Sequence, residues 1–208
     1  MVAMKTTVYY HIWTPPDSDL WKIMVDDQIK RLYVSGLPEV ATVKCTINGA
    51  QASRVKQFVS LYDWINIVDC QEGDGEYEGL CLKHLYDDCV NERAHKVMYF
   101  HTKGMSHYCG VRDHYSDRKV RAVNSWRHLM EWGCIDKWKE NIEKLDSYQV
   151  SGVNYCLDPW PHMSGNFWWA RADYIATLQH PTKESFKREK EDFGPIERMN
   201  FEKWVGMK

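Results

Sequence analysis

The sequence has no Cys-x-x-Cys pair, no long apolar run and no surplus of basic residues. Each lack removes a class of protein. The formal net charge of -2 argues against a protein that tracks nucleic-acid phosphates, because such proteins carry a basic excess. A small anionic ligand needs only one or two local cations and stays open. The seven cysteines are Cys45, Cys70, Cys81, Cys89, Cys109, Cys134 and Cys156. An odd count without zinc-type spacing disfavours a secreted disulfide framework and a zinc site, and a reducing, cytoplasmic compartment is expected. The N-terminus has no apolar h-region, so neither a signal peptide nor a membrane span is expected. Three nucleotide and nucleophile motifs are missing too. No GxGxxG follows the first strand-like segment, which disfavours a dinucleotide dehydrogenase. No GxxxxGK[ST] marks a P-loop, and no GxSxG marks a nucleophile elbow.

What is present is a chain of 208 residues, 44% hydrophobic, enough for one domain with a real core. Aromatics are abundant, with ten tryptophans and twelve tyrosines. Most aromatic rings belong to cores, but a ring face also suits the C–H face of a sugar.

Residues Thr6 to Ile12, TTVYYHI, are β-branched and aromatic and read as a buried strand. Pro15 and Pro16 interrupt the chain, and Asp17 and Ser18 can cap a helix from near Asp19 to Gly36. Strands follow at Ala41 to Ile47, Ile65 to Val68 and Lys96 to His101. Helices lie between them at Ser53 to Tyr62 and Gly79 to Val90, and Asn48-Gly49 reads as a turn. The first hundred residues thus read β-α-β-α-β-α-β, which implies parallel strands with right-handed crossovers. Beyond a loop from Met105 to Tyr115, helices are expected near Asp117–Trp132 and Asp136–Leu145. Strands are expected at Tyr148 to Tyr155 and Asn166 to Ala170, with a short helix at Asp173 to Leu178. The charged run Lys183 to Asp192 reads as a solvated face, and Pro195 as the start of a last helix ending near Trp204. The expected fold is α/β and Rossmann-like, with a mixed, mostly parallel sheet flanked by helices. It forms one domain, with a nucleotide-binding half over about 1–104 and an acceptor half over about 105–208.

Ligands of open α/β sheets sit beyond the carboxyl ends of the strands. His101, Thr102, Lys103 and Gly104 lie at such an end. A lysine beside a hydroxyl and a glycine can hold a diphosphate; a polar strand-to-loop cap is the plainer alternative. At the end of the first strand, Tyr10, His11, Ile12 and Trp13 are candidates for a base or ribose, against a buried-strand role that is favoured for Tyr10. After the third strand, Asp74 and Glu76 are candidates for ribose or sugar hydroxyls, while Glu78 reads equally as a charge at a helix N-terminus. In HMSGNFWWA, Ser164 and Gly165 let backbone approach a ligand, and Asn166 offers a donor and an acceptor. Trp168 and Trp169 alternate across a strand, so one is expected in the core and the other at the cleft. Asp158 stands in a stiff loop, as a base or as a turn former.

YFHTKG, SWRHLMEW and HMSGNFWWARADYI, in this order, resemble the GT-A class of glycosyltransferases. The resemblance is to sugar transferases of bacteria, eukaryotes and large DNA viruses, including the N-terminal glycosyltransferase domains of chlorella-virus proteins. It covers nearly the whole chain. It implies a nucleoside-diphosphate-sugar donor, UDP-sugar above others, a glycan or glycoprotein acceptor, and a divalent metal, Mn2+ or Mg2+. For a viral member it implies transfer onto a capsid glycan in the host cytoplasm. The class usually carries Asp-x-Asp after the fourth strand, where this chain has His101-Thr102-Lys103. Asp17-Ser18-Asp19 has the letters but follows the first strand and reads as a helix cap. Three arrangements stay open: Lys103 in place of the metal, a metal held by diphosphate and water, or His101 and His162 as nitrogen ligands. The implied enzyme is a hexosyltransferase in which Lys103 stabilises the leaving diphosphate and Asp158 and His162 flank the acceptor. The lack of an acidic motif before SGNFWW tilts it toward retention. A non-catalytic carbohydrate- or nucleotide-binding module is the alternative.

Overall fold

The computed structural model describes residues 5–73, 77–108, 118–158, 160–186 and 197–206. The first half follows the expected alternation. It runs β1 (Lys5–Thr14), α1 (Trp21–Val34), β2 (Thr42–Gly49), α2 (Ala52–Val59), β3 (Ile65–Glu72), α3 (Gly79–Asn91) and β4 (His95–His101). The second half runs α4 (Arg118–Glu131), a π-helical turn (Trp132–Asp136), α5 (Trp138–Lys144), β5 (Val150–Gly152), β6 (Tyr155–Cys156), β7 (His162–Met163), β8 (Trp168–Arg171), α6 (Ala172–Ile175), α7 (Lys183–Phe186) and α8 (Glu197–Lys203). Among the described residues the main sheet has the order β3-β2-β1-β4-β8-β5. β1 is parallel to β2 and β4, and β2 to β3, while β8 is antiparallel to both β4 and β5.

β4 is buried along its whole length, as a central strand covered on both faces must be. Alternation along the strands divides two cores. Val8, Tyr10, Ile12, Met98, Phe100 and Trp169 face one, with α1 and α2 packed over them. Tyr9, Val97, Tyr99, Trp168 and Ala170 face the other, beneath α3, α6 and Phe201 of α8. Burying a large apolar side chain stabilises by about 1.5–3 kcal/mol, and both layers are aromatic-rich.

Several local expectations change. Helix α1 begins at Trp21, and the Ser18 hydroxyl accepts the Leu20 N–H at 3.2 Å. Asp19 reaches Arg54 at 2.7 Å instead of capping. Gly49 is not a free turn but the end of β2 beside Thr14. At φ 110° its missing Cβ would collide with the Thr14 carbonyl oxygen, so only glycine fits there. The single strand expected at Tyr148 to Tyr155 is split into β5 and β6, with Asn154 at φ 56° between them. β8 begins only at Trp168, because Asn166 takes φ 60°. Of the charged run, Phe186 is buried in the core, and Pro195 lies outside the described residues.

Candidate functional site

The chain leaves β1 toward β2 and β3, then returns through α3 to β4 on the opposite side of β1. Such a reversal opens a crevice between the carboxyl ends of the two strands. A cavity of about 90 Å³ lies there, bordered by His11 and Trp13 of β1, Glu78 at the head of α3, and His101 and Thr102 after β4. Tyr77, Met105 and Ser106 complete its rim. Thr102 straps the two strand ends together. Its N–H donates to the His11 carbonyl at 3.1 Å. Its hydroxyl accepts the Trp13 N–H at 3.0 Å and lies 3.2 Å from the Trp13 carbonyl.

The floor is polar and almost inaccessible. His11 is 1% exposed. Its Nδ1 lies 2.9 Å from the Thr46 hydroxyl, and its Nε2 has no hydrogen-bond partner. Burial pushes its pKa down to about 3; Glu78 offsets this in part, and His101 adds to it. His11 is therefore a neutral imidazole at pH 7. Glu78 accepts from Asn166 Nδ2 at 2.6 Å through Oε2. Its Oε1 faces His101 Nδ1 at 3.3 Å without hydrogen-bond alignment. On its other side, His101 Nε2 donates to the Gly165 carbonyl at 3.1 Å. At the end of β2, Asn48 Nδ2 donates to the Tyr77 carbonyl at 3.2 Å, while Asn48 Oδ1 has no hydrogen-bond partner.

A second buried network braces the same strand end from the opposite core. Gln28 donates to the His101 carbonyl at 3.1 Å and to Glu131 at 2.8 Å, and accepts the Tyr10 hydroxyl at 2.7 Å. Burial works to raise the Glu131 pKa. His128, Arg127 and Gln28 outweigh it and hold the carboxyl below its usual range.

The structure brings His11, Trp13, His101, Thr102 and Gly104 together at the cavity. Among the described residues it does not bring the other candidates there. Tyr10 and Ile12 point to the other face, where Tyr10 stacks on Phe100 at 4.3 Å between ring centroids. Lys103 is turned away. Its ammonium meets Glu202 at 3.0 Å and lies 5.0 Å from the Trp126 ring centroid, so its charge is already compensated. Trp168 and Trp169 are both fully buried, in opposite cores, which corrects the expectation that one ring faces the cleft. Trp168 donates to Asn166 Oδ1 at 2.7 Å, and Trp169 to the Cys134 carbonyl at 2.8 Å. Asn166 is fully buried as well, its amide consumed by Glu78 and Trp168. Ser164 donates its N–H to the Asn154 carbonyl. His162 Nδ1 donates to the Trp160 carbonyl at 2.8 Å, and Asp158 is exposed; neither borders the cavity. Asp74 and Glu76 lie outside the described residues. The sequence reads Glu78 equally as a helix-end charge and does not single out Thr46 or Asn48. The carboxyl-edge position of all three was the available signal.

Of the three metal arrangements, the one with His101 as a nitrogen ligand does not fit the described geometry. His101 spends one nitrogen on the Gly165 carbonyl and turns the other to Glu78. Among the described residues no group of three or more His, Cys, Asp or Glu is placed to hold an ion.

Together these features define an α/β protein with a Rossmann-like sheet and a polar crevice at the reversal of strand order. The chain belongs to the family described as a domain of unknown function, DUF8361, whose model matches residues 9–207. No curated protein matches it.

Proposed function

We propose that this chain is a glycosyltransferase of the GT-A type. It takes a sugar from a nucleoside-diphosphate sugar, with UDP-sugars foremost, and passes it to a hydroxyl of a glycan or glycoprotein. One observation carries the reading. His11 Nε2, buried and without a hydrogen-bond partner, borders the cavity with Glu78, between the carboxyl end of β1 and the amino end of α3. Asn48 Oδ1, also without a hydrogen-bond partner, lies at the end of β2, where its Nδ2 donates to the Tyr77 carbonyl. A buried unsatisfied polar atom costs about 1–3 kcal/mol. Such atoms at a reversal of strand order accord with a ligand that supplies their partners. Ribose and sugar hydroxyls both donate and accept, which suits a neutral imidazole beside acceptor oxygens. The cavity of about 90 Å³ matches the inner end of such a ligand rather than the whole of it, since complete sites hold roughly 300 Å³ or more.

In this reading the nucleoside lies against Trp13, and the diphosphate runs out over the turn after Thr102. The anomeric C–O bond to the diphosphate breaks and a bond to the acceptor oxygen forms. The acceptor proton passes to the departing diphosphate. Glu78 is the sole carboxylate bordering the cavity among the described residues and is already engaged, which favours retention over a base-assisted inversion. Lys103 can oppose the departing charge only by exchanging Glu202 for it. That closed ion pair favours a second reading, a nucleotide- or carbohydrate-binding module without turnover.

Calorimetric titration with UDP, GDP and CMP, each with and without Mn2+, tests the proposal, together with UDP release from UDP-sugars. Binding of one nucleotide with turnover of its sugar supports the transferase. Binding without turnover supports the module. No binding by any of the three overturns both nucleotide readings.

A further inference from the structure

A second cavity, of about 500 Å³, lies at the far side of the sheet. Gln149, Val150, Ser151 and Gly152 all border it. Consecutive strand residues point to alternate faces, so four in a row on one cavity mean that it lies alongside the strand's edge. β5 is the terminal strand and pairs with β8 alone among the described residues. Its outer edge therefore turns alternating N–H donors and C=O acceptors toward the cavity. Tyr148 and Tyr155, 64% and 59% exposed, stand on its rim. Among the described residues Lys144 is the single charged side chain around it. The β6–β7 hairpin, through Tyr155 and Met163, and the turn at Val205 and Gly206 border further sides.

We propose that this cavity is a binding site for a neutral oligosaccharide. Its volume falls in the range of ligand sites, about 300–1,000 Å³. Sugar hydroxyls donate and accept at once and match the mixed polarity of a strand edge. Exposed tyrosine rings offer an apolar face with a polar tip at little conformational cost. Among the described residues the cavity has one lysine and no second cation, which does not make a phosphate or polyanion site. An extended peptide is the competing occupant. It would need an open edge to continue along, whereas β5 is three residues long and the hairpin and the 205–206 turn bound the cavity. The site is separate from the crevice between β1 and β4 and does not depend on nucleotide binding there.

The test is amide chemical-shift mapping of the full chain with maltohexaose, cellohexaose and mannohexaose, and with the peptide (Val-Thr)3. At least one hexasaccharide is expected to shift the amides of residues 148–155. Its affinity should fall roughly tenfold in the Tyr148→Ala/Tyr155→Ala variant, in line with the worth of an aromatic contact. UDP should leave these amides unmoved, so loss of the donor reading would not touch this one. No shift with any hexasaccharide, shifts that survive the double variant, or binding of the peptide alone overturns the proposal.

Discussion

The crevice between β1 and β4 and the cavity beside β5 are built on opposite plans. The first is small, and its floor is made of buried polar side chains. Its side chains come from three separate segments, and Thr46, Asn166 and the Gly165 carbonyl hold His11, Glu78 and His101 in place. The second is larger and open, and it offers a backbone edge with exposed tyrosines. A floor of buried polar groups is expensive to perturb, because each lost partner strands another buried group. An exposed rim can be altered with little effect on folding. Stability and binding should therefore separate cleanly between the two regions.

The sharpest contrast is between tryptophan and tyrosine. Trp168→Ala removes a fully buried ring and is expected to lower unfolding free energy by about 3–5 kcal/mol in urea titration. A small loss would mean that the ring is not core. Glu78→Ala comes next, with about 3 kcal/mol expected, since it leaves Asn166 and His101 facing an empty place. Glu78→Gln keeps an acceptor for Asn166 and should recover a measurable part of that loss. Equal loss in both variants would show that the charge, not the hydrogen bond, matters.

Acid should reveal the buried floor of the crevice through His11. Its folded pKa, about 3, lies below the unfolded value of 6.5. The unfolded chain takes up a proton below pH 6.5 while the folded chain does not. Stability is then fully present above that pH and falls as pH drops toward 3. Between pH 6.5 and 5 the loss is about 2 kcal/mol. Glu131, whose folded pKa is depressed, adds a loss in the same direction nearer the carboxylate range. His11→Gln should flatten the first part of this curve, as read from urea midpoints against pH. The same slope in variant and parent would contradict a buried neutral imidazole. The smallest effect belongs to the open rim, where Tyr148→Ala should change stability by less than about 0.5 kcal/mol.

The parallel half was legible because each strand and helix there repeats its own period. TTVYYHI and KVMYFH could be nothing but buried strands, and their carboxyl ends located His11, Trp13, His101 and Thr102. The second half was harder, because its strands are two to four residues long and leave no period to read. Positive φ at Asn154 and Asn166 then moved the strand boundaries. Trp168 and Trp169 misled for a related reason. Alternation predicts opposite faces correctly, but both faces of this sheet are covered, so neither ring reaches a cleft. Lys103 misled because its partner, Glu202, lies 99 residues away, and no local pattern announces such a contact.

The most direct test of the crevice is an amide-shift titration of the full chain with UDP. Binding at the ends of β1 and β4 should move Trp13, Thr102 and Gly104 first, and His11→Gln should weaken it. Saturating UDP that leaves these amides in place, or moves only residues elsewhere, would contradict a nucleotide site at the reversal of strand order.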